Sequence, residues 1–172
     1  MTAEEHNDLE GVVTLLVDPD RFGRDIIMQM LRSLGIPAPA HVSNGEAAKT
    51  YLECHHVDLC LCEATLPDMD GADLIHWIRH SSTDAMRGIP VIVLTGDTQL
   101  ATIAKARDSG ANIVVKKPVS QRTLKEHVHW VMNADRPMVD ADDYVGPDRR
   151  FREGKPPDEG ERRHEVADPN AA

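Results

Sequence analysis

Three features are scarce in this 172-residue chain, and each scarcity excludes a class of protein. Cysteine occurs only at positions 54, 60 and 62, with no CxxC pair, so neither a disulfide framework nor a zinc site is expected. No apolar run is long enough to cross a membrane. Basic residues number 19 against 29 acidic ones, which argues against general binding to nucleic acid or membrane surfaces. We therefore expect no DNA and no membrane among its partners.

The chain length indicates the size of the domain, and the first residues indicate the cellular compartment. The chain suits one domain of about 130 residues with a true core, followed by an appendage. Its first six residues, Met1 to His6, are acidic and polar, unlike a signal peptide. We expect a cytoplasmic protein whose thiols stay reduced.

Predicted strands and helices alternate along the first 130 residues or so. Apolar runs predict strands at residues 12–17, 41–42, 59–62, 91–94 and 113–115. Apolar residues at helical spacing fill the intervals and follow the last strand. Apolar strands that alternate with helices predict a parallel sheet covered on both faces. Five such units fit an α/β fold of the flavodoxin-like, (βα)5 doubly wound type.

Polar side chains follow four of the predicted strands. In an open α/β sheet, ligands bind beyond the carboxyl ends of the strands, where such side chains meet. The side chains at these positions belong to Asp18, Asp20, Glu63, Thr95 and Lys117. They are the candidate pocket of this domain.

These residues carry a resemblance to a known family. The segment from Asp58 to Gly71, in which an apolar run ends on Glu63, resembles the phosphoacceptor segment of receiver domains in bacterial two-component response regulators. Thr95-Gly96 and Lys117-Pro118 match the same family. The resemblance covers about residues 12–132 and implies the strand order 2-1-3-4-5. It also implies a pocket where acids hold Mg2+, an aspartate accepts a phosphoryl group, a hydroxyl binds a phosphoryl oxygen, and a lysine neutralises charge.

Three departures from the family pattern argue against phosphorylation. Glu63 replaces the aspartate, and its longer side chain would misalign an acyl phosphate. Pro19 separates Asp18 from Asp20, so one magnesium ligand is missing unless Asp20 swings inward. Val114 stands where receivers often carry a switching aromatic residue. We expect no required cofactor, although a magnesium site at Asp18 and Asp20 stays open.

Other interpretations of the pocket remain. The charges could form only a buried cluster that holds the loops together, or Glu63 could imitate a phosphoaspartate. A conventional phosphorelay regulator, accepting phosphate from a histidine kinase, would have to use Glu63 or one of the displaced aspartates Asp58, Asp68 and Asp70. No nucleophile–base pair or closed metal site indicates an enzyme, so no catalytic residue is predicted.

The last forty residues differ in character. Apolar periodicity stops near residue 134, and prolines and charges accumulate, so a disordered or loosely docked tail is predicted. The predicted organisation is an N-terminal extension at 1–11, a receiver-like domain at 12–133 and a flexible arginine-rich tail at 134–172. Glycine, an acid and paired arginines recur in the tail, once from Gly146 to Arg150 and once from Gly160 to Arg163.

Paired arginines beside acids and aromatics suit a guanine nucleotide. Arginine pairs with the O6/N7 edge of guanine, an acid accepts from its N1–H, and aromatic rings stack on bases. The tail resembles that of the CheY-like cyclic di-GMP effectors of alphaproteobacteria, which implies cyclic di-GMP as the ligand. The candidate ligand-binding residues are Tyr144, Asp148, Arg149, Arg150, Phe151, Arg152, Glu161, Arg162 and Arg163.

The sequence thus predicts an atypical, phosphorylation-independent single-domain response regulator. In such receivers the partner surface is the face of helix 4, strand 5 and helix 5, here about residues 100–132, and the resemblance implies the flagellar motor switch or a histidine kinase as partner. A merely solvated tail and a protein-docking motif are the competing interpretations. Nucleic-acid binding by the tail ranks lower, because eleven acids fall in the same segment.

Overall fold

A computed structural model describes residues 9–150 of the protein as a five-stranded parallel sheet flanked by helices, with a separate hairpin. The sheet has the order β2-β1-β3-β4-β5, which confirms the predicted flavodoxin-like fold. Its strands are β1 (Thr14–Val17), β2 (Ala40–Val42), β3 (Leu59–Glu63), β4 (Val91–Thr95) and β5 (Ile113–Lys116). Every neighbouring pair is parallel, so the carboxyl ends of the strands share one edge.

Six helices connect and cover these strands. They are α1 (Arg21–Ser33), α2 (Gly45–Cys54), α3 (Gly71–Arg79), α4 (Asp84–Arg87), α5 (Leu100–Asp108) and α6 (Gln121–Asn133). Five of them occupy the predicted intervals. The sequence gives no signal for α4, because its four residues form a single turn with no apolar periodicity.

The core lies on both faces of the sheet, as expected when apolar strands are covered on two sides. Leu15, Val17, Cys60 and Cys62 pack on the face shared with α2, α3 and α5, whereas Leu16 faces α1 and α6. The two strand cysteines therefore lie on one face, as their alternation predicts. Burial raises the pKa of the Cys60 thiol to about 12 and that of Cys62 well above its usual range, which keeps both thiols protonated.

One residue of the predicted N-terminal extension belongs to the core. The Leu9 side chain is 1% exposed and packs in the cluster formed by α1, α6 and their strands. The Val12 amide donates to the Leu9 carbonyl, and Gly11 takes a φ of +94°, so a tight turn returns the chain towards β1. The packed part of the protein thus begins earlier than residue 12.

The first part of the segment predicted to be flexible forms an ordered hairpin. Strands β6 (Met138–Ala141) and β7 (Tyr144–Pro147) pair antiparallel across a two-residue turn. Gly110, with a φ of +105°, faces this hairpin so closely that a Cβ there would lie 2.5 Å from the Val145 carbonyl oxygen. A Cβ on Gly146 would lie 2.8 Å from the Gly110 Cα. Two glycine backbones therefore meet directly, a contact that apolar periodicity does not reveal.

The hairpin packs at the end of the sheet opposite the predicted pocket. Gly110 lies three residues before β5, and β7 also contacts α3, which ends at Arg79. Arg136 donates to the carbonyl oxygens of Asn112 at 3.3 Å and Asp148 at 2.6 Å, which joins the hairpin to the start of β5. Within residues 9–150, no helix is long and apolar enough to span a bilayer.

Candidate functional site

Asp18, Glu63 and Lys117 meet at the carboxyl edge of the sheet. Asp18 follows β1, Glu63 ends β3 and Lys117 follows β5, so the parallel arrangement brings them together. The Lys117 Nζ lies 2.7 Å from Asp18 Oδ2 and 2.8 Å from Glu63 Oε2. One ammonium therefore bridges two carboxylates, and the predicted proximity of these three residues is observed.

This triad is largely withdrawn from water. The side chains of Asp18, Glu63 and Lys117 are 2%, 15% and 21% exposed. Burial disfavours the ammonium, but its hydrogen bonds to Asp18 and Glu63 and the negative charge of both carboxylates outweigh burial and raise the pKa of Lys117. Glu63 also accepts a hydrogen bond at 2.9 Å from the Ala64 amide through its other oxygen. Both oxygens of Glu63, which the sequence pattern matches to a phosphoacceptor position, are thus already engaged.

The residues around Asp18 do not fit a magnesium ion. Asp18 Oδ1 accepts from the Asp20 amide at 2.8 Å, and its Oδ2 accepts from Lys117. The Asp20 carboxylate does not swing inward: it caps α1 by accepting from the amides of Phe22 and Gly23. Mg2+ needs near-octahedral oxygen ligands, and Pro19 offers none from its side chain. In the described part of the chain no three His, Cys, Asp or Glu side chains form a metal-binding group.

Thr95 lies beside the triad, whereas Val114 lies in the core. Thr95 is buried at the end of β4, where its hydroxyl accepts a hydrogen bond at 3.0 Å from the Asp97 amide. Its carbonyl oxygen accepts from the Lys117 amide at 2.8 Å. Thr95 therefore lies at the same sheet edge, beside the triad. Val114 is buried within the core and belongs to no surface switch.

The three alternative aspartates all have other partners. Asp58 accepts from the Val13 amide at 2.9 Å, at the opposite end of the strands. Asp68 accepts from the amides of Gly45 and Glu46, and these backbone hydrogen bonds lower its pKa. Asp70 forms an ion pair with Lys105. None of these interactions brings an aspartate to the position of Glu63.

The tail residues that the structure describes form a second cluster, at the hairpin. The Arg149 guanidinium carbon lies 4.0 Å from the Tyr144 ring centre, a cation–π contact. Asp148 accepts from the Arg150 amide at 2.8 Å and so closes a turn. Phe151, Arg152, Glu161, Arg162 and Arg163 lie outside the described residues. The triad and the described tail residues thus lie at opposite ends of the sheet.

Sequence reasoning missed Arg79, which links the body of the domain to the hairpin. Its side chain is 1% exposed, and burial lowers its pKa to about 10. The guanidinium donates to the carbonyl oxygens of Gly110, Arg87 and Ile89 and to the Asn112 side chain, at 2.7–3.0 Å. A signal was available, because Arg79 follows Ile75 by four residues and so lies on the apolar face of α3.

Five parallel strands with an acid, a hydroxyl and a lysine at their carboxyl edge define a receiver-type signalling module. The chain belongs to the response regulator receiver domain family, whose sequence profile matches residues 14–129. It is similar to the chemotaxis protein CheY of Pseudomonas aeruginosa, with 30% identity over 117 residues, 68% of this chain and 93% of that protein. CheY-3 of Vibrio cholerae is also 30% identical, over 65% of this chain and 85% of that protein.

Solved structures agree with this assignment. The receiver domain of the sensor histidine kinase PA1611 of Pseudomonas aeruginosa, solved with a magnesium ion coordinated in its active-site cleft, is 27% identical; the match has a TM-score of 0.66 and covers 72% of this chain and 99% of that one. CheY4 of Vibrio cholerae shares the fold at 21% identity, with a TM-score of 0.64 over 70% of this chain and 98% of that one. The magnesium ion belongs to the PA1611 domain, and the occupied carboxylates of Asp18 and Asp20 distinguish the present pocket.

Proposed function

We propose that this receiver domain works without phosphorylation, as a protein-interaction module whose tail binds cyclic di-GMP. The role is regulatory rather than enzymatic. The observation that carries the first part is the triad, in which Lys117 bridges Asp18 and the glutamate at the acceptor position. A lysine belongs to the receiver pattern as well, but here its ammonium holds both carboxylates, and each would have to leave it before binding a metal ion or a phosphoryl group.

Glu63 also opposes phosphoryl transfer on its own account. The side chain of Glu63 is one methylene longer than the aspartate of the family pattern, so an acyl phosphate on it would misalign with the hydroxyl that binds it. Attack by Glu63 would first require breaking its hydrogen bonds to Lys117 and Ala64. These requirements favour the phosphorylation-independent role over the conventional phosphorelay.

Support for a nucleotide ligand comes from the tail. Tyr144 and Arg149 already lie together as a ring and a guanidinium, the two groups that stack on and pair with guanine. Arg150 adds a second exposed cation beside them, suited to a phosphate. A second glycine–acid–arginine copy later in the chain suits the second guanine of a cyclic dinucleotide.

The partner surface would be the face of α5, β5 and α6. Leu100, at the start of α5, is 77% exposed, which is unusual for a large apolar side chain and typical of a docking surface. Relatives include chemotaxis proteins, and we propose a component of the flagellar motor switch, or a histidine kinase, as the partner.

Calorimetry with the full chain tests the ligand. We expect heat and a 1:1 or 2:1 stoichiometry with cyclic di-GMP, and none with GDP, because only the cyclic dinucleotide offers two guanines. The double variant R149A/R150A should lose binding, while R122A, which removes an exposed arginine of α6, should retain it. Equal binding by all three proteins, or none by the wild type, would refute this part of the proposal.

Mass spectrometry tests the pocket independently. The intact chain is incubated with acetyl phosphate and Mg2+, and no stoichiometric mass gain is expected. A gain that disappears in E63Q would establish Glu63 as an acceptor and favour the conventional phosphorelay.

A further inference from the structure

We propose that Arg149 clamps the end of helix α5 and that the nucleotide releases this helix by taking Arg149 away. The inference rests on the proposed function, since it concerns regulation through the same tail. It connects the hairpin to the face that would meet a partner. The Arg149 clamp is defined here as the contacts of its guanidinium with Arg107, Asp108 and Tyr144.

The Arg149 clamp contacts the C-terminal end of helix α5. Arg149 Nη2 donates to the Arg107 carbonyl oxygen at 2.9 Å, and Nη1 lies 3.0 Å from Asp108 Oδ1. The Arg107 carbonyl oxygen also accepts from the Gly110 amide at 3.1 Å, so Arg149 is an additional donor to it. Carbonyls in the last turn of a helix carry partial negative charge, so a cation is favourable there. The tail thus supplies a C-terminal cap for α5 from a distance of about forty residues along the chain.

Helix α5 is weakly held by other means. Ala106 is its only buried residue in the structure of residues 9–150, and its N-cap residue, Gln99, makes no side-chain capping bond. Lys105 forms an ion pair with Asp70, but both side chains are about half exposed and such pairs contribute little. Ile103 packs against the core and Thr102 donates to Asp97 at 2.7 Å, both nearer the start of the helix, so the Arg149 contacts act at its other end.

The nucleotide and the helix compete for the same groups. Both terminal nitrogens of Arg149 already donate to α5, and one face of the guanidinium covers Tyr144. A guanine that paired with these nitrogens would displace Arg107 and Asp108, and a base that stacked on this face of Tyr144 would displace Arg149. Either contact of the proposed ligand breaks the clamp. Because α5 forms part of the α5–β5–α6 face, loss of the clamp alters the surface offered to a partner.

Amide hydrogen exchange without ligand tests the clamp first. R149A should exchange about two- to fivefold faster than the wild type at residues 106–110, the range expected for a partly exposed ion pair. The matched control is R150A, which removes the neighbouring exposed arginine and leaves the contacts with α5 in place. Equal exchange in R149A and the wild type would overturn the proposal whatever the nucleotide does.

Cyclic di-GMP tests the release. Saturating cyclic di-GMP should accelerate exchange at residues 106–110 of the wild type and change nothing further there in R149A. D108N should bind the nucleotide about two- to fivefold more tightly than D143N, which removes an equal charge from the exposed hairpin turn. Binding that leaves exchange in α5 unchanged overturns the clamp but not the ligand. No binding to the wild type overturns the ligand and its release of α5, while the ligand-free comparison still decides whether the clamp exists.

Discussion

The charge of one residue, Lys117, neutralises two carboxylates that are largely buried. It lies between two carboxylates that are 2% and 15% exposed, and without it Asp18 and Glu63 would face each other as like charges. Removing one member of a buried ion pair is usually more costly than never having formed the pair. The consequence is a pocket whose stability depends on one cation.

K117M should therefore lower the free energy of unfolding by about 1–3 kcal/mol, below the range for fully buried pairs because Lys117 retains some exposure. Urea denaturation measures the change. K116M, which removes the neighbouring exposed lysine, should stay within about 0.5 kcal/mol of the wild type. Adding E63Q to K117M removes one of the two stranded charges and should recover part of the loss. Equal midpoints for K117M and K116M would contradict this account of the triad.

Because the pKa of Lys117 is raised, its contribution to the free energy of unfolding depends on pH. A cation whose pKa is higher folded than unfolded stabilises the fold fully below its unfolded pKa, about 10.4, and loses that contribution as pH rises through the folded value. The difference in unfolding free energy between wild type and K117M should be constant from about pH 7 to 9 and narrow towards pH 11. A difference that instead widens between about pH 8 and 10 would mean that burial, not the two carboxylates, controls this pKa.

At the scale of residues, the sequence predicts which side chains meet at the strand ends but not which hydrogen bonds go to backbone groups. The meeting of Asp18, Glu63 and Lys117 follows from strand ends alone, because parallel strands end at one edge. The inward swing considered for Asp20 is not seen, because its carboxylate finds two amides at the start of α1 instead. The position of Arg79 on the apolar face of α3 indicates burial, but three of its four acceptors are backbone carbonyls, so the sequence does not reveal its partners.

At the scale of elements, the hairpin of β6 and β7 is the part that periodicity did not predict. The five-stranded sheet was predictable because four of its strands are mainly apolar and buried on both faces, whereas the short β2 includes the exposed His41. The hairpin instead buries mainly Gly146 and Pro147, and it docks through a backbone contact with Gly110. Short strands with few apolar side chains resemble a flexible tail in sequence, whether or not they dock.

G146A tests that docking. A methyl group at this position would lie 2.5 Å from the Tyr144 hydroxyl and 2.8 Å from the Gly110 Cα, so either the ring or the hairpin must move. Overpacking of this kind costs about 1–3 kcal/mol, and exchange at residues 138–147 should accelerate about tenfold while the sheet stays protected. G96A is the matched control, since a Cβ there meets nothing within 4 Å. Unchanged exchange in the hairpin of G146A would show that this close contact does not hold it.

At the scale of the whole molecule, the domain separates two sites. The triad occupies the carboxyl edge of the sheet, and the hairpin with Tyr144 and Arg149 occupies the opposite end. Helix α5 is in contact with the hairpin at its end, and its start lies near the pocket through Asp97 and Thr95. Helix α5 therefore joins the edge of the sheet that holds the triad to the end that holds the hairpin.

Arg79 holds the parts of that far end together, and its substitution tests whether they act as one unit. The guanidinium joins the end of α3, the segment after α4 and the start of β5, directly beneath the hairpin. R79M would leave four acceptors without their donor, and we expect it to lower the free energy of unfolding by about 2–4 kcal/mol. R79K should recover only part of this, because one ammonium cannot reproduce a planar fork of donors. R87M, at a surface ion pair, should cost less than about 1 kcal/mol.

Hydrogen exchange on R79M should show faster opening of the hairpin and of α5 together, because Gly110 joins both. Opening of the hairpin alone would mean that the far end is not one cooperative unit.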